Sequence, residues 1–199
     1  MSVVALLVAE MRTLAPELKE GLKVVSCLGS STEKHAIEII SSSLDIDLVA
    51  ALEELIARGF LVKGTGSGVR FSHDKVQQSA YETMTYDEQK SLHTRLGLIL
   101  CDQDLLSDEY EYLLFDAVTQ VNLGGADVSL DQSKRVHIGD LNLRAGKRAT
   151  ELSAFDSALG FLQSGILWAS NCWSTDYSLT LSLHTCATKT TCLLNDLVR

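Results

Sequence analysis

Apolar residues recur at helical spacing through most of the first sixty positions. Pro16 suits the first turn of a helix, where its missing N–H costs little, and Gly29 and Gly59 suit helix ends. Between Pro16 and Gly29, one helical face carries Leu18, Leu22 and Val25. The serine run at 41–43 is interpreted as a turn. The pattern therefore predicts four helices, over about 2–12, 16–27, 32–40 and 46–58, with Thr32 starting the third.

The period of the pattern then changes from helical to extended. Residues 60–62 and 69–71 are short β-type runs, and the glycine-rich residues 63–68 join them as a hairpin. The last three of the four predicted helices, followed by a two-stranded hairpin, have the layout of a winged helix. The order of the elements carries this prediction more than any single residue.

After the hairpin the chain returns to a helical pattern. Asp74 with Gln77, and Thr85 with Glu88, have the spacing of capping boxes at two helix starts. Ser107 is predicted to begin a helix that ends at Gly124-Gly125, and three more helices follow, over about 130–152, 154–169 and 175–197. Small and large residues in the first two of these fall at the offsets of a tetratricopeptide-type repeat, namely Gly146, Ala158, Leu162 and Gly165. The predicted fold is mainly α: a winged helix with a small β-hairpin, followed by a superhelical, tetratricopeptide-like segment.

Charge and composition narrow the classes of partner. The formal net charge is −9, so a nucleic acid should be repelled unless a local basic face exists, and none is visible. The apolar run at the N-terminus is too short to span a bilayer and is interrupted by Glu10 and Arg12. Five cysteines without a CxxC pair indicate reduced thiols in a cytoplasmic protein, and the spacing of His184, Cys186 and Cys192 disfavours a metal site.

Catalytic signatures are weak. The glycine-rich segment 64–68 has no Lys-Ser/Thr pair and leads into a strand, so it is interpreted as a wing tip and not as a phosphate loop. None of the five histidines stands in a known nucleophile context. We therefore expect no enzymatic activity from this chain.

A winged helix raises DNA binding as the alternative function. Its recognition helix would need Arg, Lys, Asn or Gln on the exposed face. The helix at 46–58 instead offers Asp47, Glu53 and Glu54, with Arg58 only at its end. This acidic face would repel the phosphates of DNA, so DNA binding is kept only as the alternative function.

The segment 69–81, Val-Arg-Phe-Ser-His-Asp-Lys-Val-Gln-Gln-Ser-Ala-Tyr, has two interpretations. From the residues alone it is a strand, a polar cap at Asp74 and an amphipathic helix whose Val76, Ala80 and Tyr81 face the core. The same segment closely resembles a signature of STAND-class AAA ATPases, which lie inside large signalling proteins beside kinase or cyclase domains. Weaker resemblances extend over about residues 3–185: Leu14-Ala15-Pro16, Cys27-Leu28-Gly29, Gly59-Phe60-Leu61, Leu92-His93, Leu141-Asn142-Leu143 with Ala145-Gly146, and Trp173 with Tyr177.

The resemblance implies an ATPase core upstream, which binds ATP or ADP with magnesium, and no cofactor in this chain itself. The resemblance implies four segments. Residues 1–14 are the end of a preceding helical domain, and residues 15–84 form the winged helix. Residues 85–127 are connecting helices, and residues 128–199 begin a truncated helical repeat region. His73 matches a histidine that contacts the β-phosphate of ADP in the resting state, and Asp74 matches an aspartate that acts as a cap or latch. A start at Met1 without that core is what a split gene or a partial gene model would give.

The expected partners are proteins. The resemblance implies an ATPase core, in the same chain or in another, and further protein domains bound through the helical region. No nucleic acid and no membrane are expected. The last helix is predicted to expose an apolar face, and we expect self-association or low solubility from it. The face consists of Leu179, Leu183, Leu193, Leu194 and Leu197.

Overall fold

The computed structural model describes residues 3–64, 68–102, 113–127, 129–170 and 172–197. These residues are 74% helical, in ten helices with one small three-stranded antiparallel sheet. The chain divides into two compact units, residues 1–103 and 104–199, here called the first and second units. None of the described helices is long and apolar enough to cross a membrane.

The first unit contains six helices and the sheet among its described residues. Pro16 occupies the first position of α2, and Gly29 ends that helix with a φ of 118°, as predicted. Gly59 follows α4 with a φ of 80°, a conformation that glycine adopts without a steric cost. The elements are α1 Val3–Met11, α2 Pro16–Leu28, β1 Ser31–Thr32, α3 Lys34–Ser43, α4 Leu48–Ala57, β2 Leu61–Lys63, β3 Val69–Phe71, α5 Asp74–Glu82 and α6 Tyr86–Cys101.

The sheet includes a strand that the sequence pattern did not reveal. The strand order is β1-β3-β2, with Ser31 opposite Arg70 and Leu61 opposite Phe71. The prediction that Thr32 starts a helix is therefore wrong, because Thr32 pairs with β3 and α3 begins two residues later. A strand of two residues shows no alternation of its own and exists only through its partner.

The predicted turn over the serine run is also wrong. Residues 41–43 continue α3 to its end, and the Ser42 hydroxyl donates to the Ile39 carbonyl at 2.7 Å. A hydroxyl that bonds to a preceding carbonyl lets a serine stay within a helix. The turn falls after Ser43, where Leu44 is extended.

The core of the first unit lies between the helices and the inner face of the sheet. The fully buried side chains come from every layer of the unit, and their burial accounts for most of the stabilisation of such a fold. They include Leu22, Ile40, Leu48, Leu55, Phe60, Leu61, Leu96 and Leu100.

The second unit is helical in its described residues, and its three long helices match the predicted ones. The predicted helix start at Ser107 lies outside the described residues. Small residues allow the helices to approach closely: a Cβ at Gly146 would lie 2.5 Å from Cγ of Leu162, and one at Gly165 would lie 2.6 Å from Cδ2 of Leu183. The elements are α7 Leu114–Gly124, α8 Gln132–Glu151, α9 Phe155–Trp168 and α10 Tyr177–Leu197.

A buried polar network joins three of these helices. Asn142 is 0% exposed and receives a 2.7 Å hydrogen bond from the Asn122 amide. The Asn142 amide in turn donates to the Ile138 carbonyl at 3.0 Å, and the Trp168 indole N–H donates to Asn122 at 2.9 Å. Because buried amides are costly when unpaired, this network fixes how α7, α8 and α9 are aligned.

The apolar face of α10 is covered more fully than predicted. Leu179 and Leu183 are buried against α8 and α9, so the expectation that both are exposed is wrong. Leu193 is 41% exposed, whereas Leu197 has no described side chain. The apolar surface available for self-association is correspondingly smaller.

Candidate functional site

The segment between β3 and α5 is held at both ends by backbone hydrogen bonds. Phe71 is buried, and its N–H donates to the Ser30 carbonyl at 3.0 Å. Ser72 donates twice to the Phe60 carbonyl, from its N–H at 3.0 Å and from its hydroxyl at 3.1 Å. The residue that follows is thereby fixed relative to the sheet.

His73 occupies the N-cap position of α5. Its backbone is extended, with φ −150° and ψ 141°, and its carbonyl accepts from the N–H groups of Val76 and Gln77 at 2.9 and 3.3 Å. The imidazole is exposed and has no hydrogen-bond partner among the described residues. It lies beside a helix start, where unpaired N–H groups carry partial positive charge. The arrangement offers a donor to an external anion.

Asp74 does not have the capping role predicted for it. It is the first helical residue of α5 and lies one position beyond the N-cap, and no side chain caps this helix. The predicted capping box with Gln77 is therefore wrong, because the amide of Gln77 reaches the Ser26 carbonyl of α2 at 3.3 Å. The Asp74 carboxylate is exposed in the first turn, where the helix dipole favours negative charge.

The inner face of α5 follows the amphipathic prediction. Val76 and Ala80 are fully buried, and Tyr81 is partly buried. The Tyr81 hydroxyl lies 2.9 Å from Nε2 of His93, a buried residue of α6. The sequence did not mark this pair, since the two residues are twelve positions apart and lie on different helices. His93 is thus a structural histidine, and His73 is an accessible one.

The glycine-rich segment connects two strands of the sheet. Gly64 N–H donates to the Gly68 carbonyl at 2.8 Å, and residues 65–67 lie outside the described part of the chain. A side chain at Gly68 would collide with the backbone carbonyl of Thr32 on β1. Glycine is needed here for a close approach between backbones, which accounts for Gly68 without a phosphate-binding role.

Acidic side chains dominate the outer face of α4. Glu53 and Glu54 are exposed, and Asp47 caps the helix by accepting from Ala50 N–H at 3.0 Å. Arg58 is engaged with carboxylates, 2.8 Å from Glu54 and 3.7 Å from Glu10. This helix presents negative charge where a DNA-reading helix would need positive charge.

The thiols and histidines form no metal cluster in the described ranges. No group of three or more His, Cys, Asp or Glu side chains with a metal-binding arrangement occurs there. Burial raises the pKa of the Cys27 and Cys101 thiols to about 12, so both stay protonated. His184 stacks on Trp173 with ring centroids 5.3 Å apart.

Comparisons with known proteins found no matching family model, curated protein or solved structure. The family resemblance therefore depends on the sequence motifs quoted above.

Proposed function

We propose that this chain is a regulatory and interaction module of a STAND-type AAA ATPase signalling protein. In this proposal a winged helix transmits the nucleotide state of an ATPase core to helical repeats, and the chain itself catalyses no reaction. The observation that carries the proposal is the accessible imidazole of His73 at the β3–α5 junction, which has no hydrogen-bond partner among the described residues. It coincides with the most specific part of the sequence resemblance.

The topology of the first unit supports a winged helix. From α2 onward the order is helix, strand, helix, helix, strand, strand, and the third strand lies between the other two. Winged helices share this order and this strand arrangement. The acidic face of α4 argues against the DNA-binding role that many of them have.

The packing of the second unit supports a tetratricopeptide-like pair. The large contact between α8 and α9 depends on Gly146 and on the fully buried Ala158 and Leu162. Helix pairs of this kind stack into surfaces that bind other proteins. This is the role we propose for the second unit.

In the proposed mechanism His73 stabilises a closed, ADP-bound state. The bound nucleotide would supply a β-phosphate as acceptor, and the ring of His73 would donate one hydrogen bond to it, worth about 1–3 kcal/mol. Losing that bond would shift the closed-to-open equilibrium about tenfold to a hundredfold. His73 would therefore act as a sensor.

The test uses a protein in which an ATPase core precedes or accompanies this segment. Such a protein is identified by a phosphate-loop motif in the sequence upstream of this segment. His73→Ala should speed ADP release about tenfold or more and raise basal activity, while the melting temperature stays unchanged because the imidazole has no partner to lose. Gln78→Ala is the matched control, since Gln78 is exposed on the same helix and its amide bonds, among the described residues, to the exposed Glu82 alone.

Two results would contradict the proposal. Unchanged ADP release in His73→Ala would remove the sensor role. Sequence-selective, submicromolar binding of duplex DNA in about 150 mM salt would favour a DNA-binding regulator, because nonspecific affinity is already weak there.

A further inference from the structure

A cleft of about 650 Å³ opens in the first unit between α1, α2 and α5. Met11, Leu22 and Ala80 form an apolar floor and are each at most 5% exposed. Val8 adds a half-buried apolar wall. The apolar surface that a ligand can reach from solvent therefore comes from Val8 and from the small exposed part of Met11.

Three cations border this cleft. Arg12 follows the end of α1, and Lys19 and Lys23 lie one turn apart on the same face of α2. Within the described residues neither Arg12 nor Lys19 forms an ion pair. Lys23 pairs with Glu20 at 3.7 Å, and its charge also helps to lower the pKa of Glu88. Within the described residues, two of the three cations that border the cleft, Arg12 and Lys19, are therefore without an ion-pair partner.

Carboxylates interact with one of these cations, since Glu20 and Glu88 both act on Lys23 at the edge of the cleft. Glu82 lines it and accepts a 2.8 Å hydrogen bond from the Gln78 amide. In a chain of net charge −9, the lining of this cleft holds three cations and one carboxylate. An anion placed among these cations would be attracted by all three.

We propose that this cleft binds a small amphipathic anion, with an apolar body and one carboxylate or phosphate group. The apolar body packs on Val8 and Met11, above the buried Leu22 and Ala80, and the charged group lies among Arg12, Lys19 and Lys23. The volume lies within the range of about 300–1,000 Å³ that is typical of small-molecule sites.

This site is separate from the one proposed for His73. None of the residues that line the cleft belongs to the junction over residues 72–74. The two proposals can therefore fail independently.

The first experiment is a titration of the isotopically labelled full chain, followed by backbone amide NMR. Decanoate, below its micelle concentration, should shift the amides of Met11, Leu22 and Ala80 in a saturable way. Decanol should bind about tenfold more weakly because it has the body without the charge, and inorganic phosphate alone should not saturate. Scattered shifts, equal binding of decanol, or stronger binding of a hexaglutamate peptide would overturn the proposal.

The second experiment compares two charge-matched triple variants. Arg12→Gln/Lys19→Gln/Lys23→Gln should weaken decanoate binding about tenfold or more, with an unchanged helical circular dichroism spectrum. Lys63→Gln/Arg70→Gln/Lys75→Gln removes the same charge from exposed positions of this unit and should change binding less than about twofold. Equal losses in both variants would mean general electrostatic attraction, and no loss in the cleft variant would mean that its cations do not hold the anion. Either result would overturn the site.

Discussion

At the residue scale, the two histidines of the β3–α5–α6 region lie in opposite environments. His93 is 3% exposed and pairs with Tyr81, so its replacement would leave a phenol without its partner. His73 is exposed and, within the part of the chain that the structure describes, forms hydrogen bonds only through its backbone. A side chain with no internal partner, at a rigidly fixed position, is free to bind something else. This difference identifies His73 as the candidate functional histidine.

The glycines of α8 and α9 allow a direct test of helix packing. Gly146→Ala should destabilise the second unit by about 1–3 kcal/mol, because the new Cβ would lie 2.5 Å from Cγ of the buried Leu162. Gly160→Ala is the matched control on α9, because a Cβ added there would meet no atom within 4 Å apart from its own helix backbone. It should stabilise by about 0.5–1 kcal/mol through helix propensity. Urea denaturation measures both, and equal effects would refute close packing at Gly146.

At the scale of elements, the start of α6 shows a prediction that local sequence alone could support. The Thr85 hydroxyl accepts from Glu88 N–H at 3.3 Å, and the Glu88 carboxylate accepts from Thr85 N–H at 2.7 Å. This reciprocal pair is the predicted capping box, and it is confirmed. The corresponding prediction for α5 is wrong because Gln77 finds a partner on α2.

The capping box of α6 should make stability depend on pH. The backbone hydrogen bond from Thr85 lowers the pKa of Glu88 below its ordinary value of 4.5. The stabilisation is therefore fully present above about pH 4.5, the unfolded value, and is lost as pH falls through the lower folded value. Glu88→Gln keeps a hydrogen-bonding side chain but does not titrate.

Thermal melts of both proteins between pH 7 and pH 3 measure this contribution. The wild-type protein should lose stability relative to Glu88→Gln as pH falls below 4.5, since all other titrating groups are common to both. A constant difference between the two proteins across this range would contradict the prediction.

At the scale of the whole molecule, each unit has its own buried core. Leu22, Ile40 and Phe60 are buried in the first unit, and Leu162, Trp168 and Leu183 in the second. A compact unit with its own core is able to fold alone. Residues 1–103 and 104–199, expressed separately, should each give a helical circular dichroism spectrum and a cooperative melt. An unfolded 104–199 fragment would show that its core requires the first unit.

The sequence by itself determined the elements whose signals are local. Pro16, Gly29 and the Thr85–Glu88 pair specified helix ends, and long apolar periodicities specified α8, α9 and α10. It also placed His73 at a strand-to-helix junction, because the change of period there lies within a few residues.

Tertiary structure alone decided the features that join distant segments. Strand β1 forms because β3 lies beside it, and the burial of Leu179 and Leu183 follows from glycines about 18 to 40 residues earlier on α8 and α9. The cationic cleft brings together Arg12, Lys19 and Lys23 with an apolar floor that includes Ala80, about sixty residues further along the chain. Periodicity reports which face of an element is apolar but not which other element covers it, so these pairings required the folded chain.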